Sequence, residues 1–173
     1  MKQLIPSLLA IFLITGTELV YSQQVNTTTY LIVRHAERAD DGGESVEDPY
    51  LSTEGLHRAV NLVKALQAQP VDAVFSTDVN RTRMTVALVA AANGVHVEYY
   101  DWKEQNAFLE QISETHRGKT ILIAGHSNTV DTATNTLLGY NYFTEKLRHD
   151  DYDNLLIITS STFGSGTLIH LKY

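Results

Sequence analysis

"KTILIA", residues 119–124, decides the fold. Behind its lysine the run is almost wholly apolar, which is how a strand covered on both faces reads. Such a strand belongs at the centre of a sheet with helices on each side. Working outward, the same pattern recurs. Thr29 to Val33 is a strand by its β-branched and apolar content. Val71 to Phe75 and Val95 to Tyr99 read as two more, and the segments near 155–159 and 166–172 as a last pair, an antiparallel hairpin at one edge.

Helices fill the intervals. Ser52 or Thr53 caps one that carries Leu56, Ala59, Val60, Val63 and Leu66 at helical spacing and stops before Pro70. Thr77 or Asp78 caps a second, which runs through Ala92 and closes at Asn93-Gly94. Residues 103–115 form a third, and Asn128 to Leu138 a fourth that ends at Gly139. Strand and helix in alternation imply an α/β fold with a mainly parallel central sheet. Residues 39–50, "ADDGGESVEDPY", are an acidic loop without the acidic spacing of a calcium site.

The chain has 173 residues, 43% of them hydrophobic, and a formal net charge of −7. That suffices for one domain with a real core and argues against a broad nucleic-acid surface. With no cysteine there are no disulfides, thiolate metal sites or lipidated cysteines. Met1-Lys2, the apolar run Leu4 to Ile14 and the small-residue positions Val20 and Ser22 read as a signal peptide over 1–22. The domain then spans 23–173. An exported protein, periplasmic or secreted, with no stable membrane insertion after cleavage is expected; an uncleaved anchor is the alternative.

In open α/β sheets, ligands bind outside the carboxyl ends of the strands. Arg34, His35 and Glu37 follow the first strand, Ser76, Thr77 and then Arg81 the second, and Gly125, His126, Ser127 and Asn128 the central one. Two guanidiniums beside a helix start suit an oxyanion, a phosphoryl group best. A neutral imidazole can attack phosphorus and split the transfer into two steps. The protein supplies the positive charge, so the set needs no metal and no cofactor.

Four segments resemble the histidine phosphatase (phosphoglycerate mutase-like) superfamily, in its compact branch-1 form. "LIVRHAE" resembles the family's strand followed by Arg-His-Gly/Ala-Glu, and "LSTEGLHRA" its Leu-Thr-x-x-Gly-x-x-Gln-Ala helix start. "FSTDVNRTRMT" resembles the segment with the second arginine, and "ILIAGHSNTV" the second histidine motif. They occur in the family's order from residue 30 to about 139. The resemblance implies a three-layer α/β/α sandwich with His35 as the nucleophile. It implies Arg34 and Arg81 as clamps on the phosphoryl oxygens, and His126 as a further donor, an imidazolium in the transition state. Backbone groups near Ser127 would add to the phosphate pocket. Glu37 either orients the pocket or simply pairs with Arg34.

There are departures from the family pattern. Arg58 and Met84 replace common glutamines and read as tolerated surface or packing changes. Many members carry an acidic residue in a longer stretch after the third strand. Here only "YYDWKEQNAF" is present, with Asp101 and Glu104 as candidate general acids. A member without a dedicated acid resembles the small phosphatases that act on phosphohistidine in proteins. The expected partner is a phosphorylated substrate, either a small molecule or a phosphoprotein.

Other readings compete. Gly125-His126-Ser127 approaches a serine-hydrolase elbow, with Asp151 or Asp153 and His170 downstream, but Thr129 stands where that elbow needs glycine. A catalytically inert phosphate-binding domain of the same fold is a further alternative. His57, His96, His116, His149 and His170 read as packing or surface residues, and Arg83 as a surface charge.

Overall fold

A computed structural model describes residues 26–39 and 47–173. The expected leader over 1–22 and most of the acidic loop lie outside the described residues. Among them, no helix is long and apolar enough to cross a membrane.

The six strands are β1 (Thr28–Arg34), β2 (Ala73–Ser76), β3 (Val97–Tyr99), β4 (Thr120–Gly125), β5 (Asn154–Ser160) and β6 (Thr167–Lys172). The four helices are α1 (Thr53–Leu66), α2 (Asn80–Asn93), α3 (Gln105–Thr115) and α4 (Val130–Leu138). One sheet forms in the order β3-β2-β4-β1-β5-β6. β1, β2, β3 and β4 pair in parallel, and β5 and β6 run antiparallel. The expected hairpin is therefore real, with β6 on the edge.

Period-two alternation along the inner strands divides the interior into two cores. Tyr30 and Ile32 of β1, with Ile121 and Ile123 of β4, pack against Leu109, Ile112 and Leu137 of α3 and α4. Their neighbours Leu31, Val33, Leu122 and Ala124 pack on the opposite face against Leu62, Leu66, Val86 and Val89 of α1 and α2. Helices thus cover both faces, as the apolar run 119–124 requires. The result is the three-layer α/β/α sandwich.

The winding fixes where a site can form. From β1 the chain crosses by α1 to β2 and by α2 to β3, reaching one edge of the sheet. It then returns by α3 to β4, next to β1, and leaves by α4 for the opposite side. β1 and β4 are adjacent strands whose connections depart on opposite faces. Such a pair opens a crevice at its carboxyl ends.

Local chemistry sets the helix ends. The Ser52 hydroxyl accepts from Gly55 N–H and caps α1, as expected. α2 differs from expectation: neither Thr77 nor Asp78 caps it. Val79 occupies the cap position without a side-chain bond, and Asp48 takes over from a distant loop by accepting Asn80 N–H at 2.8 Å. Asp78 pairs instead with Arg83. α4 starts at Val130 rather than Asn128, because residues 126–129 form a turn closed by His126 N–H donating to Thr129 Oγ1.

Gly55 also answers to packing. A Cβ there would lie 2.2 Å from the Glu37 carbonyl oxygen, the same oxygen that accepts Ser52 N–H. Gly55→Ala is expected to force these two segments apart and to cost about 1–3 kcal/mol, the usual range for overpacking. Urea denaturation of the variant beside wild type measures it.

Candidate active site

The crevice holds a pocket of about 360 Å³, lined by Arg34, His35, Arg38, Arg81, Trp102, His126, Ser127, Asn128, His149 and Tyr152. The register of the two central strands builds its floor. Arg34 of β1 pairs with Gly125 of β4, so His35 and His126 are the next residues on each strand. Their rings meet edge to face with centroids 5.5 Å apart.

His35 is held at every point. Its N–H donates to the Gly125 carbonyl at 2.9 Å, which extends the ladder by one bond beyond the strand. The next residue, Ala36, donates its N–H to Thr85 Oγ1 of α2. The ring Nδ1 lies 2.8 Å from the Ala36 carbonyl. A carbonyl can only accept, so Nδ1 carries the proton and Nε2 keeps its lone pair. Burial, with Arg34, His126 and Arg81 nearby, lowers the His35 pKa to about 3. The imidazole is therefore a neutral base with one bare nitrogen.

His126 is positioned by Thr77, whose Oγ1 lies 2.9 Å from Nε2 and also 2.9 Å from Thr82 Oγ1. Burial and the two arginines lower its pKa to about 4. The free site is thus the state before the imidazolium expected in the transition state. His126 is neutral there, and only an arriving anion could favour its proton.

The two arginines of the expected set are placed differently. Arg81 stands in the first turn of α2, with Asp48 Oδ1 3.9 Å from its guanidinium. Arg34 is buried, 3% exposed. Its Nη1 donates to the carbonyls of Arg148 and His149 at 2.8 and 3.0 Å, with the Asp151 carbonyl at 3.5 Å. The Tyr152 ring lies 4.2 Å from its central carbon, a cation–π contact, and 5.8 Å from the His35 ring. Nε of Arg34 is buried without a hydrogen-bond partner among the described residues. Burial lowers the pKa of both arginines, yet from so high a start that both remain charged.

Other expected site residues stand elsewhere. Glu37 pairs with Arg58, whose Nε lies 2.8 Å from both carboxylate oxygens, and not with Arg34. Arg58 is therefore no free surface substitution: it neutralises Glu37 and also donates to the Tyr173 carbonyl. Asp101 is exposed and caps the 3₁₀ turn Trp102–Glu104 by accepting Lys103 N–H. Neither Asp101 nor Glu104 lines the pocket; both line a separate depression with Phe75, Tyr100 and Phe108. Ser127 does line the pocket. The hydrolase alternative fails on His170, whose nitrogens are engaged by Asn154 at 2.7 Å and Tyr142 at 2.9 Å on the far hairpin.

Asn128 lines the pocket as its place at a strand tip implied; sequence reading missed Arg38, Trp102, Tyr152 and His149 as lining residues, and it took His149 for a packing or surface residue. His149 and Tyr152 lie on the loop before β5, which has no periodicity to orient its side chains. Arg38, three residues past His35, was the one with a usable signal.

Residues 30–106 match the histidine phosphatase superfamily (branch 1). No curated protein sequence matches the chain. Solved structures share the fold. The protein histidine phosphatase SixA, complexed with tungstate, superposes with a TM-score of 0.67 at 18% identity, covering 83% of this chain and 96% of that one. A mycobacterial glucosyl-3-phosphoglycerate phosphatase gives 0.65 at 12% identity, covering 85% and 98%. Phosphoserine phosphatase from Entamoeba histolytica, bound to 3-phosphoglyceric acid, gives 0.61 at 14%, covering 84% and 95%. Residues 30–106 thus carry the sequence pattern of this superfamily, and the fold is the one these phosphatases share.

The depressed histidine pKa values carry a stability consequence. Unfolded imidazoles take up protons near pH 6.5. The native rings refuse them until about pH 3 and about pH 4. Their contribution to stability is therefore present above pH 6.5 and is lost as the pH falls from there towards 3. Imidazole NMR titration of the folded protein should find two rings still neutral at pH 5.5. Midpoints above 6 for both His35 and His126 would refute this electrostatic picture.

Proposed function

We propose that this protein is a phosphatase that removes a phosphoryl group through a covalent phosphohistidine at His35, without a metal ion. One observation carries the reading: the Nδ1–H of His35 is spent on the Ala36 carbonyl, which leaves a neutral Nε2 facing a pocket with three guanidiniums. A neutral nucleophile approaches a phosphate dianion without charge repulsion, while the arginines neutralise the oxygens it must pass.

In the first step Nε2 forms a bond to phosphorus and the bond to the leaving group breaks. In the second, water attacks phosphorus, the P–N bond breaks and inorganic phosphate departs. Arg81 and the unpartnered Nε of Arg34 are the proposed donors to the phosphoryl oxygens, with the Ser127 hydroxyl beside them. His126 is proposed to bind the phosphoryl group too, taking a proton as the anion arrives. The substrate is a phosphomonoester or a phosphohistidine. The shared fold with a protein histidine phosphatase and with small-molecule phosphatases supports either size of substrate.

The test is release of phosphate from an aryl phosphate and a phosphohistidine peptide, in EDTA, with and without orthovanadate. Wild type is expected to turn over and to be inhibited by vanadate. His35→Ala should abolish turnover, and Arg81→Ala should lower it by about 10²–10³-fold, the range for losing a transition-state donor. Unchanged turnover in His35→Ala overturns the mechanism. Phosphate binding with no turnover on any substrate identifies an inert domain instead.

A further inference from the structure

Among the described residues no carboxylate lines the phosphate pocket: its side chains are arginine, histidine, serine, asparagine, tryptophan and tyrosine. An alkyl ester still needs a proton for its departing oxygen. The arginines cannot supply one at any accessible pH. His35 is committed to attack, and His126 rests as a neutral ring against Thr77. The remaining protic side chains are Ser127, Tyr152 and His149. A serine hydroxyl is far too weak an acid. The Tyr152 ring is engaged face-on by Arg34. His149 is exposed at the rim, and its own carbonyl is tied to Arg34 Nη1 at 3.0 Å. That tie anchors the residue beside the reacting centre while the side chain stays free to meet a leaving group. Imidazole is also the side chain that exchanges a proton near neutral pH.

We infer that His149 is the proton donor to the leaving group, so that this chain carries an imidazole where an acidic residue was expected. The inference rests on the phosphohistidine reading of the site. As His35 Nε2 bonds to phosphorus and the ester P–O bond breaks, the His149 imidazolium passes its proton to the departing oxygen, giving the alcohol. The neutral His149 then takes a proton from water as the hydroxide oxygen bonds to phosphorus and the P–N bond breaks. Hydrogen phosphate leaves, His35 is neutral again and His149 is once more an imidazolium. Proton and charge balance over the cycle, and no other reactant is consumed.

A general acid matters in proportion to how poor the leaving group is, whereas a residue that only shapes the pocket affects all substrates alike. The experiment compares kcat/KM for glycerol phosphate, phenyl phosphate and 2,4-dinitrophenyl phosphate in wild type, His149→Asn and Tyr152→Phe. Asparagine keeps the main-chain carbonyl that holds Arg34. Expected is a loss of about 10²-fold on glycerol phosphate in His149→Asn. The ratio of glycerol phosphate to dinitrophenyl phosphate activity should fall at least tenfold, and Tyr152→Phe should leave this ratio as it is. Equal losses on all three esters overturn the assignment, as does selective loss in Tyr152→Phe alone. Wild-type activity confined to the dinitrophenyl ester or to a phosphohistidine peptide also overturns it, while leaving the His35 mechanism standing. Trapping of phosphoenzyme from the dinitrophenyl ester separates the two levels: wild type without a phosphate on His35 brings down the mechanism and this inference with it.

Discussion

The parallel pairing of β1 with β4 is the constraint on which the site depends. Six consecutive register pairs, from Thr29 with Thr120 to Arg34 with Gly125, leave no freedom in which residues leave the sheet side by side. A slip of one position would turn every side chain of β1 to the other face, exchanging the Tyr30–Ile32 core with the Leu31–Val33 core. The two cores are built from different helices, so the slip is excluded by packing on both faces at once. The apolar residues of the sheet thereby set the distance between His35 and His126. The geometry of the candidate site is here a by-product of core burial.

Charge is then sorted around that fixed pair. The chain carries a net charge of −7, yet among the described residues three guanidiniums and no carboxylate line the pocket. Glu37, only two residues past His35, would offset one of these positive charges if it turned inward. Arg58 prevents this with a bidentate pair from α1. The positive charge of the pocket is thus preserved by an ion pair that takes no part in it. The short strand β3 and the abrupt turn into α3 contribute differently: they leave Trp102 at the rim, beside the open side of the pocket.

How much of this was legible in the sequence follows from the same physics. Strands buried on both faces announce themselves as apolar runs, and whatever follows them sits at a strand tip. Arg34, His35, His126 and Ser127 could therefore be placed without coordinates. Arg81 was legible as a residue near the start of a helix, though its helix borrows Asp48 from a loop as its cap, and nothing local signals a partner 32 residues away. The acid candidates Asp101 and Glu104 were chosen by nearness in the chain to the third strand. The turn at Trp102–Glu104 sends them to a neighbouring depression. His149 and Tyr152 were illegible because an irregular loop has no period. The bonds from Arg34 to its carbonyls, with the Tyr152 ring on the guanidinium, tie that loop to the pocket.

Those bonds also explain how an arginine can be buried without a carboxylate partner. A buried guanidinium must have its donors satisfied, and a carboxylate partner is the usual solution. Arg58 takes it, and the pair is left electrically neutral. Arg34 is met by main-chain carbonyls and an aromatic face instead. These acceptors are dipoles without net charge, so they fix the guanidinium in place without a direct salt bridge; the charges of Asp150, Asp151 and Glu37 act on it only from farther away. Among the described residues Nε is left unpaired as well, a cost of about 1–3 kcal/mol for a buried donor in general. The loop from 148 to 152 is thereby more than a cover: it lets Arg34 be both buried and fully charged.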